Sequence, residues 1–376
     1  MKVQILQENL NKGLIIASRL VSAKAQLPIL SNILLKTDQG RLQVAATNLE
    51  NGVSLWLGAK IEEEGEITVP AKVFSEIVTT LSAGTVDIKT NGNVMQILSG
   101  GYQASLNCVS ALEYPKLPVP SEQSIVSISA GKLADGINQV AFSAAADETR
   151  PVLTGVLLKL KGKTLSMAAT DGYRLSLKDV EIDKDIKEQM TLILPSKTLM
   201  EAARIINDEK IKADEIIQIG YTKEKNQVVF LFPQLHLFSR IIDGDFPDYE
   251  KIIPNNLLTK ITINNEDFIQ GVKLVSVFAR DSSNIVKFDI KDNSLNMSAN
   301  SPQVGENKIS IESKIEGEDV EIAFNFRFLQ SLLAIIKEKE ITLDLNGPLS
   351  PGVFRIVGSE NFLHLIMPVR LQTEEK

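Results

Sequence analysis

Apolar residues recur at helical spacing in six segments of the chain, and this period predicts six amphipathic helices. Three of these segments read ENLNKGLIIASRLVSA, AGKLADGINQVAFSAA and NEDFIQGVKLVSVFAR. The other three begin at Pro70, Pro195 and Asn325, where a short apolar strand runs into the helix. Proline suits the first helical turn because its missing N–H is not used there. Alternating apolar and polar residues between the helices predict antiparallel strands.

The order of these segments repeats three times. The segment PILSNILLKTDQGRLQVAATNLE from Pro28 matches PVLTGVLLKLKGKTLSMAATDGYRL from Pro151, and NIVKFDIKDNSLNMSANSPQVGE from Asn284 is a weaker third copy. Repeats of this length are too long for a solenoid and are whole domains. We therefore predict an α+β fold of three domains, each an antiparallel sheet with two helices. The predicted domains are residues 1–122, 123–253 and 254–376.

Polar turn residues mark where the predicted strands reverse direction. Hairpin tips are predicted at Asp38-Gln39-Gly40, Asn91-Gly92-Asn93 and Lys291-Asp292-Asn293. The joints between the predicted domains are rich in proline and read YPKLPVPSEQS and DGDFPDYEKIIPNN. These joints agree with the predicted boundaries.

Composition indicates a soluble protein of a reducing compartment. Hydrophobic residues make up 44% of the chain and charged residues 23%, as in ordinary globular proteins. The N-terminus has no apolar signal segment, and no apolar run is long enough to span a bilayer. The one cysteine, Cys108, permits no internal disulfide. We therefore expect a cytoplasmic protein without a membrane partner.

Catalytic and metal-binding motifs are missing from the sequence. Gly162-Lys163-Thr164 resembles the end of a phosphate-binding loop, but Leu157 stands where that loop needs glycine. The two histidines, His236 and His364, lie in predicted strands, and one cysteine is too few for a Cys/His zinc site. Asp171 fits a turn residue that bonds its own backbone. We expect no cofactor, no metal and no enzymatic activity.

Basic residues are frequent on the predicted helices. They include Lys12, Arg19, Lys24 (just past its helix), Lys72, Lys132, Lys197, Arg204, Lys273, Arg280, Arg327 and Lys337. Acidic residues concentrate elsewhere, in Glu62-Glu63-Glu64, in EIDKDIKEQ and in the tail TEEK. A net charge of −7 argues mildly against a nucleic-acid partner, but net charge is a poor guide when charges segregate by face, so this objection is provisional.

Several motifs, in order and spacing, resemble one protein family. They are LPIL near residue 27, TVPAK near 68, TRPVLTG near 149, AATDGYRL, FPDYEKIIP and MPVRL. Together they resemble the bacterial β sliding clamp, the processivity subunit of DNA polymerase III, over the whole chain. The resemblance implies a homodimeric ring around double-stranded DNA. It also implies a groove for short linear peptides of the polymerase catalytic subunit and the clamp loader.

The resemblance also implies site residues. DNA contacts would come from Lys24, Lys72 and Lys197, with Arg150 as a further candidate, although the loop of residues 146–152 lacks aromatic and amide side chains. The dimer contact would join Leu106 of one chain to Val277 and Phe278 of the other. The groove would be lined by Leu153, Thr170, Gly172, Tyr173, Arg174, Leu175, Pro247, Lys251, Ile252, Leu349, Leu365, Met367, Pro368, Val369 and Arg370.

Two alternatives stay open at this point. The groove residues are also what the core between two domains would need. A multidomain nuclease is a different class of function, and it would need clustered carboxylates to hold Mg²⁺. Residues Gln372–Lys376 extend beyond the usual end of the family and would either cover the groove or hang free.

Overall fold

A computed structural model describes residues 1–21, 27–118, 124–222, 226–254, 256–281, 283–303 and 305–370. Within these ranges the chain forms six α-helices and three antiparallel sheets of five, eight and ten strands. The α+β fold class predicted from the sequence is confirmed.

One element order, strand–helix–strands–helix–three strands, occurs three times along the chain. The first copy contains β1 (Lys2–Leu6), α1 (Gln7–Arg19), β2 (Asn32–Asp38), β3 (Arg41–Thr47), β4 (Asn51–Leu57), β5 (Lys60–Glu63), β6 (Glu66–Pro70), α2 (Ala71–Thr80), β7 (Thr85–Asn91), β8 (Val94–Ser99) and β9 (Tyr102–Asn107). The second contains β10 (Ser124–Ser129), α3 (Ala130–Val140), β11 (Gly155–Thr170), β12 (Arg174–Pro195), α4 (Ser196–Asp208), β13 (Ile216–Thr222), β14 (Gln227–Phe232) and β15 (Leu235–Arg240). The third contains β16 (Thr259–Asn264), α5 (Asn265–Ala279), β17 (Ile285–Lys291), β18 (Ser294–Ser301), β19 (Gly305–Gly317), β20 (Val320–Asn325), α6 (Phe326–Leu333), β21 (Glu340–Leu345), β22 (Gly352–Ile356) and β23 (Phe362–Ile366).

The chain divides into two compact units. The first comprises Met1–Ala130 with Arg204–Ile241, and the second comprises Gly131–Ala203 with Ile242–Lys376. The threefold element order agrees with the repeats in the sequence, while the boundaries at residues 122 and 253 stay a prediction.

In the first unit a five-stranded sheet has the order β5-β1-β7-β8-β9, and an eight-stranded sheet has the order β10-β13-β14-β15-β4-β3-β2-β6. The eight-stranded sheet joins the first and second repeats through β4 and β15, in the register Leu55↔Leu235 to Asn51↔Ser239. Helix α1 lies close to β4 because Gly13 has no side chain. A Cβ there would meet Leu55 and Leu57 at 2.7 and 2.8 Å.

In the second unit one ten-stranded sheet has the order β11-β12-β23-β22-β21-β16-β19-β18-β17-β20. It joins the second and third repeats through β12 and β23, where Leu175 pairs with Leu365 and Ser176 with His364. The third repeat has an aromatic core, in which the Phe288 and Phe324 rings lie 5.3 Å apart, edge to face. Burial of this core holds α5 and α6 on the sheet.

The predicted hairpin tips agree with the backbone. Gln39 and Gly40 connect β2 to β3 with φ values of +48° and +74°, and Asp292 and Asn293 connect β17 to β18 with +52° and +54°. Both pairs have the positive φ values that two-residue hairpin turns require. Gly162, in the KGK segment, also has φ +57°, and the register of β11 against β12 shifts on both sides of it.

Candidate peptide-binding groove and DNA-contact residues

The loop of residues 170–174 reverses the chain between β11 and β12 and is built by two side chains. Thr170 Oγ1 donates a hydrogen bond to the Arg174 carbonyl at 2.7 Å and accepts one from the Gly172 N–H at 3.0 Å. Asp171 Oδ1 accepts hydrogen bonds from the N–H groups of Tyr173 and Arg174 at 2.9 and 3.1 Å. Gly172 completes the reversal with φ +93°, a conformation that favours glycine. Asp171 is thus the turn residue predicted from the sequence.

Arg174 ties this loop to the helices of the second unit. Its Nε donates to Asp171 Oδ2 at 3.0 Å, and its Nη2 donates to the Phe142 carbonyl at 2.8 Å. The guanidinium lies over the rings of Phe142 and Phe328, at 5.4 and 5.0 Å from their centres. Tyr173 stacks on Phe328 on the exposed side, with ring centres 6.4 Å apart. The side chain of Arg174 therefore fixes the loop, while that of Tyr173 is 63% exposed.

Below the loop lies an apolar floor. Leu175, Val353, Leu363 and Leu365 form one buried cluster, against which Leu177, Tyr249 and Ile253 pack. The 246–253 segment also contributes to a neighbouring cluster of Leu157, Ala168 and Ile193, which includes Val152, Phe246 and Tyr249 at its edge. Four of the predicted groove segments therefore meet here: residues 151–154, 170–175, 246–253 and 363–367.

Around this floor the predicted groove residues differ in exposure. Leu153, Thr170, Leu175 and Leu365 are buried. Four large apolar side chains are exposed: Tyr173, Ile252, Leu349 and Met367. Pro247, Lys251 and Arg370 are also exposed, while Pro368 and Val369 are half-buried. Such a set has apolar walls with a few polar groups, which is the composition of a binding site for an apolar ligand.

Backbone hydrogen bonds fix two of the groove segments. The Met367 N–H donates to the Tyr173 carbonyl at 2.8 Å, and the Val369 N–H donates to the Ala323 carbonyl at 2.8 Å. Lys251 forms an exposed ion pair with Asp248, 2.8 Å from Nζ to Oδ2, and this partner raises the pKa of Lys251. Leu349 lies in the loop between β21 and β22 and is 62% exposed.

Two residues of this site were missed by reasoning from the sequence. Phe142 follows α3 and Phe328 lies on α6, and both hold the guanidinium of Arg174. Their apolar spacing predicts a helix face, and no sequence signal relates two helices of different repeats to one arginine.

The predicted DNA-contact residues are exposed where the structure describes them. Lys72 lies at the start of α2 and Lys197 at the start of α4. Lys197 Nζ lies 4.0 Å from Glu148 Oε1, and both side chains are mostly exposed. Arg150 donates from Nη2 to the Asp171 carbonyl at 3.2 Å, so its side chain lies against the groove loop. Lys24 lies outside the described residues, as do Leu371 and Gln372–Lys376.

Helix charges are less segregated than the sequence pattern indicated. Arg19 is paired with Asp208 at 2.9 Å, and Lys132 with Glu181 at 3.1 Å. Glu76 is exposed on α2 beside the exposed Lys72. The basic residues therefore do not form a continuous stripe on their own helices.

The predicted dimer-contact residues lie in different units. Leu106 is half-buried on β9, the edge strand of the five-stranded sheet. Val277 on α5 is exposed, and the neighbouring Phe278 is half-buried. A Cβ on Gly305, the first residue of β19, would lie 4.0 Å from the Phe278 ring.

Comparison with known proteins decides the family. Models of the DNA polymerase III beta subunit match residues 1–118 with the N-terminal domain, 127–248 with the central domain and 250–370 with the C-terminal domain. The beta sliding clamp of Bacillus subtilis is 32% identical over 98% of this chain and all of its own length. That of Synechococcus elongatus is 31% identical over 99% of this chain and all of its own length.

The chain belongs to the beta sliding clamp family.

Solved clamp structures agree with this assignment. The Bacillus subtilis sliding clamp has 30% identity and a TM-score of 0.92, and each chain covers 99% of the other. The beta subunit of Thermotoga maritima DNA polymerase III has 29% identity and a TM-score of 0.90, with 98% of this chain and 99% of that chain covered.

Sliding clamps are processivity factors of DNA replication that tether the polymerase, not catalysts, and they act on DNA in the cell interior. Family membership gives no support to the nuclease alternative. In the described part of the chain, no three His, Cys, Asp or Glu side chains form a metal-binding group. No helix in that part is long and apolar enough to cross a membrane.

Proposed function

We propose that two copies of this chain pair head to tail into a closed ring around duplex DNA in the cytoplasm. We further propose that the groove of the second unit binds short peptides of the polymerase catalytic subunit and the clamp loader. The observation that supports the ring best is a rule of strand pairing that two of the three repeats obey.

In that rule, the last strand of one repeat pairs with β4, or with the counterpart of β4, in the repeat before it. Strand β15 ends the second repeat and pairs with β4. Strand β23 ends the third repeat and pairs with the start of β12, which is the counterpart of β4 because the single strand β11 stands in place of β2 and β3. The last strand of the first repeat is β9, and among the described residues it pairs only with β8. The fourth strand of the third repeat is β19, whose residues 305–312 pair only with β18 in the described part.

These two open edges are complementary. The rule applied once more pairs residues 102–106 of one chain, antiparallel, with residues 305–309 of the other. Leu106 would then lie near Gly305 and the Phe278 ring, which is the contact that the resemblance implied. Because the two surfaces differ, each chain offers one of each, and two identical contacts close a dimer. Exposed strand edges otherwise favour uncontrolled pairing.

Native mass measurement at micromolar concentration tests the ring. We expect a dimer for the wild type and monomers for Leu106→Asp and for Val277→Asp. Matched controls are Leu98→Asp, on the paired strand β8, and Ile15→Asp, on α1, because both side chains are exposed. Dimers that survive both interface changes would contradict the proposal.

DNA is expected to contact exposed lysines through its phosphates. Such contacts have no sequence information, as sliding requires. Lys72→Ala with Lys197→Ala should weaken binding equally for all duplex sequences and flatten the salt dependence by about 0.9 per lost contact. The control is Lys89→Ala with Lys163→Ala, which removes the same charge from exposed strand residues. An equal effect of the control pair would count against the helix contacts.

The groove is tested with a fluorescent peptide containing Leu and Phe, taken from a replicative polymerase. Leu349→Asp and Met367→Asp change exposed side chains, so the fold should persist. Each lost apolar contact removes about 1.5–3 kcal/mol of binding free energy, or tenfold to a hundredfold in affinity. Leu258→Asp, an exposed leucine outside the predicted groove, is the control. Unchanged affinity in both groove variants would refute the assignment.

A further inference from the structure

A buried polar chain runs directly below the groove loop. Ser143 Oγ lies 2.7 Å from Ser176 Oγ, which lies 2.7 Å from His364 Nδ1. All three side chains have no exposed surface. Burial of polar groups costs free energy that hydrogen bonds only partly return, so such a chain needs a reason.

The first unit shows that the fold does not need this chain. The register that pairs Ser176 with His364 pairs Val53 with Leu237 in the equivalent ladder of β4 and β15. Gly136 packs α3 on its sheet, and Ser143 stands seven residues after it. Gly13 packs α1 on its sheet in the same way, and the residue seven after it is Leu20. Leu20, Val53 and Leu237 are all buried. Apolar residues therefore occupy all three equivalent positions where no groove is predicted.

The polar chain ends at His364, which shares a neighbour with Arg174. Both the guanidinium of Arg174 and the ring of His364 lie against Phe142, at 5.4 and 5.3 Å from its centre. Among the described residues, His364 Nε2 and Arg174 Nη1 are both buried and have no hydrogen-bond partner. The two atoms belong to groups that lie against the same ring, and a lone pair on Nε2 would complement the cationic N–H donors of Arg174.

We propose that His364 is a positioning residue for the groove: it is neutral, holds its proton on Nδ1, and presents the Nε2 lone pair to the guanidinium of Arg174. In this arrangement Nδ1–H donates to Ser176, and Ser176 donates to Ser143. The opposite tautomer would turn an N–H toward a cation, which Coulomb repulsion in a buried site disfavours. Arg174 in turn holds Asp171 and the loop of residues 170–174. This inference rests on the proposed function, because the loop is the wall of the peptide groove.

The tautomer is measured first, on the wild-type protein without peptide. The chain has only two histidines, so the side-chain ¹⁵N spectrum contains two imidazoles, and loss of one signal in His236→Gln assigns the other to His364. We expect the Nδ1–H form for His364. An Nε2–H form would overturn the proposal without any variant having to fold.

Variants of His364 separate positioning from simple packing. His364→Gln keeps an acceptor at the place of Nε2, whereas His364→Asn reaches only the place of Nδ1 and His364→Leu has no polar group. We expect about tenfold weaker peptide binding for the Leu and Asn variants, the effect of one lost hydrogen bond to a charged group, and recovery to within about threefold for Gln. Equal losses in all three variants would mean that only packing matters.

A triple variant transfers the apolar triad of the first unit into the second. Ser143→Leu, Ser176→Val and His364→Leu together should leave the unfolding midpoint at or above that of the wild type, while peptide affinity falls about tenfold. Full affinity in a well-folded triple variant would overturn the proposal.

Proton exchange at Arg174 Nε, measured without peptide, keeps this inference separate from the proposed function. Faster exchange in His364→Leu than in the wild type supports positioning, whether or not any peptide binds. If the wild type binds no peptide but exchange still responds to His364, the groove assignment fails and the positioning role stands. Unchanged exchange in His364→Leu would refute the positioning role alone.

Discussion

The loop of residues 47–51 and the loop of residues 170–174 have the same hydrogen bonds and different side chains. Thr47 Oγ1 donates to the Asn51 carbonyl and accepts from the Leu49 N–H, as Thr170 does with Arg174 and Gly172. Asn48 Oδ1 accepts two backbone N–H bonds, as Asp171 does. The repeated AAT motif followed by Asn or Asp is thus a scaffold for a tight reversal.

The two loops differ in the residues that follow the Asn or Asp of the turn. Where the first loop has Leu49 in a strained conformation of φ +76°, the second has Gly172 at φ +93°. Glu50 and Asn51 stand where Tyr173 and Arg174 provide an exposed ring and a buried guanidinium. Duplication therefore conserved the backbone reversal in both units, while the surface for a partner depends on the residues at positions 172–174 and on those packed beneath them.

The largest expected effect lies in the floor. Leu175→Ala should lower the free energy of unfolding by about 2–5 kcal/mol, because this side chain is fully buried. The equivalent residue in the first loop is Gly52, where a Cβ would meet the Ala46 carbonyl and Thr47 at 3.1 Å. Gly52→Ala should cost less, since no cavity forms. Denaturant unfolding compares them, and equal costs would mean that the two floors are alike.

Acid should destabilise the wild type more than a variant in which the polar chain has lost His364. Burial, and then the charge of Arg174, lower the pKa of His364 from its ordinary 6.5 to about 3. The unfolded chain therefore binds a proton that the folded chain does not, and stability is lost as pH falls below 6.5. Between pH 6.5 and 5 the wild type should lose about 2 kcal/mol more than His364→Leu. His236 is present in both, and parallel pH profiles would contradict the lowered pKa.

The negative charge of Asp171 should contribute to stability, whereas a negative charge introduced at the equivalent Asn48 should contribute little. Asp171→Asn keeps an acceptor for the turn but removes the mostly buried ion pair with Arg174, and should cost about 1–2 kcal/mol. Asn48→Asp keeps the two backbone bonds and should change stability by less than about 0.5 kcal/mol. Thermal unfolding of both variants measures the difference, and a larger cost at Asn48 would reverse the comparison.

The smallest expected effect concerns backbone strain. Gly172→Ala should cost about 1 kcal/mol from the left-handed conformation alone, because the nearest atom to its Cβ is Arg150 Nη1 at 3.4 Å. Leu49→Gly removes strain of the same kind and should leave stability unchanged or slightly higher. If Gly172→Ala were neutral, the glycine would serve only the approach of Arg150 or a partner.

Much of this architecture could be predicted from the sequence because its causes are local. The helix period of ENLNKGLIIASR, the alternation of RLQVAAT and the turn residues at Asp292-Asn293 each determine their own elements. Repetition of these local signals predicted a threefold α+β fold, and the role of Asp171 as a turn residue also followed from its neighbours.

Only the tertiary structure decided which distant residues meet. Arg174 lies between Phe142 and Phe328, which are 32 residues before it and 154 after it in the chain. His364, which the sequence indicated only as a strand residue, is fully buried against Ser176. The hydrophobic period depends on neighbours along the chain, whereas these contacts depend on the register of strands that belong to different repeats. A register shift of one residue would abolish the contacts. Local composition therefore predicts the repeated scaffold, and the pairing of β12 with β23 decides where one copy of it becomes a site.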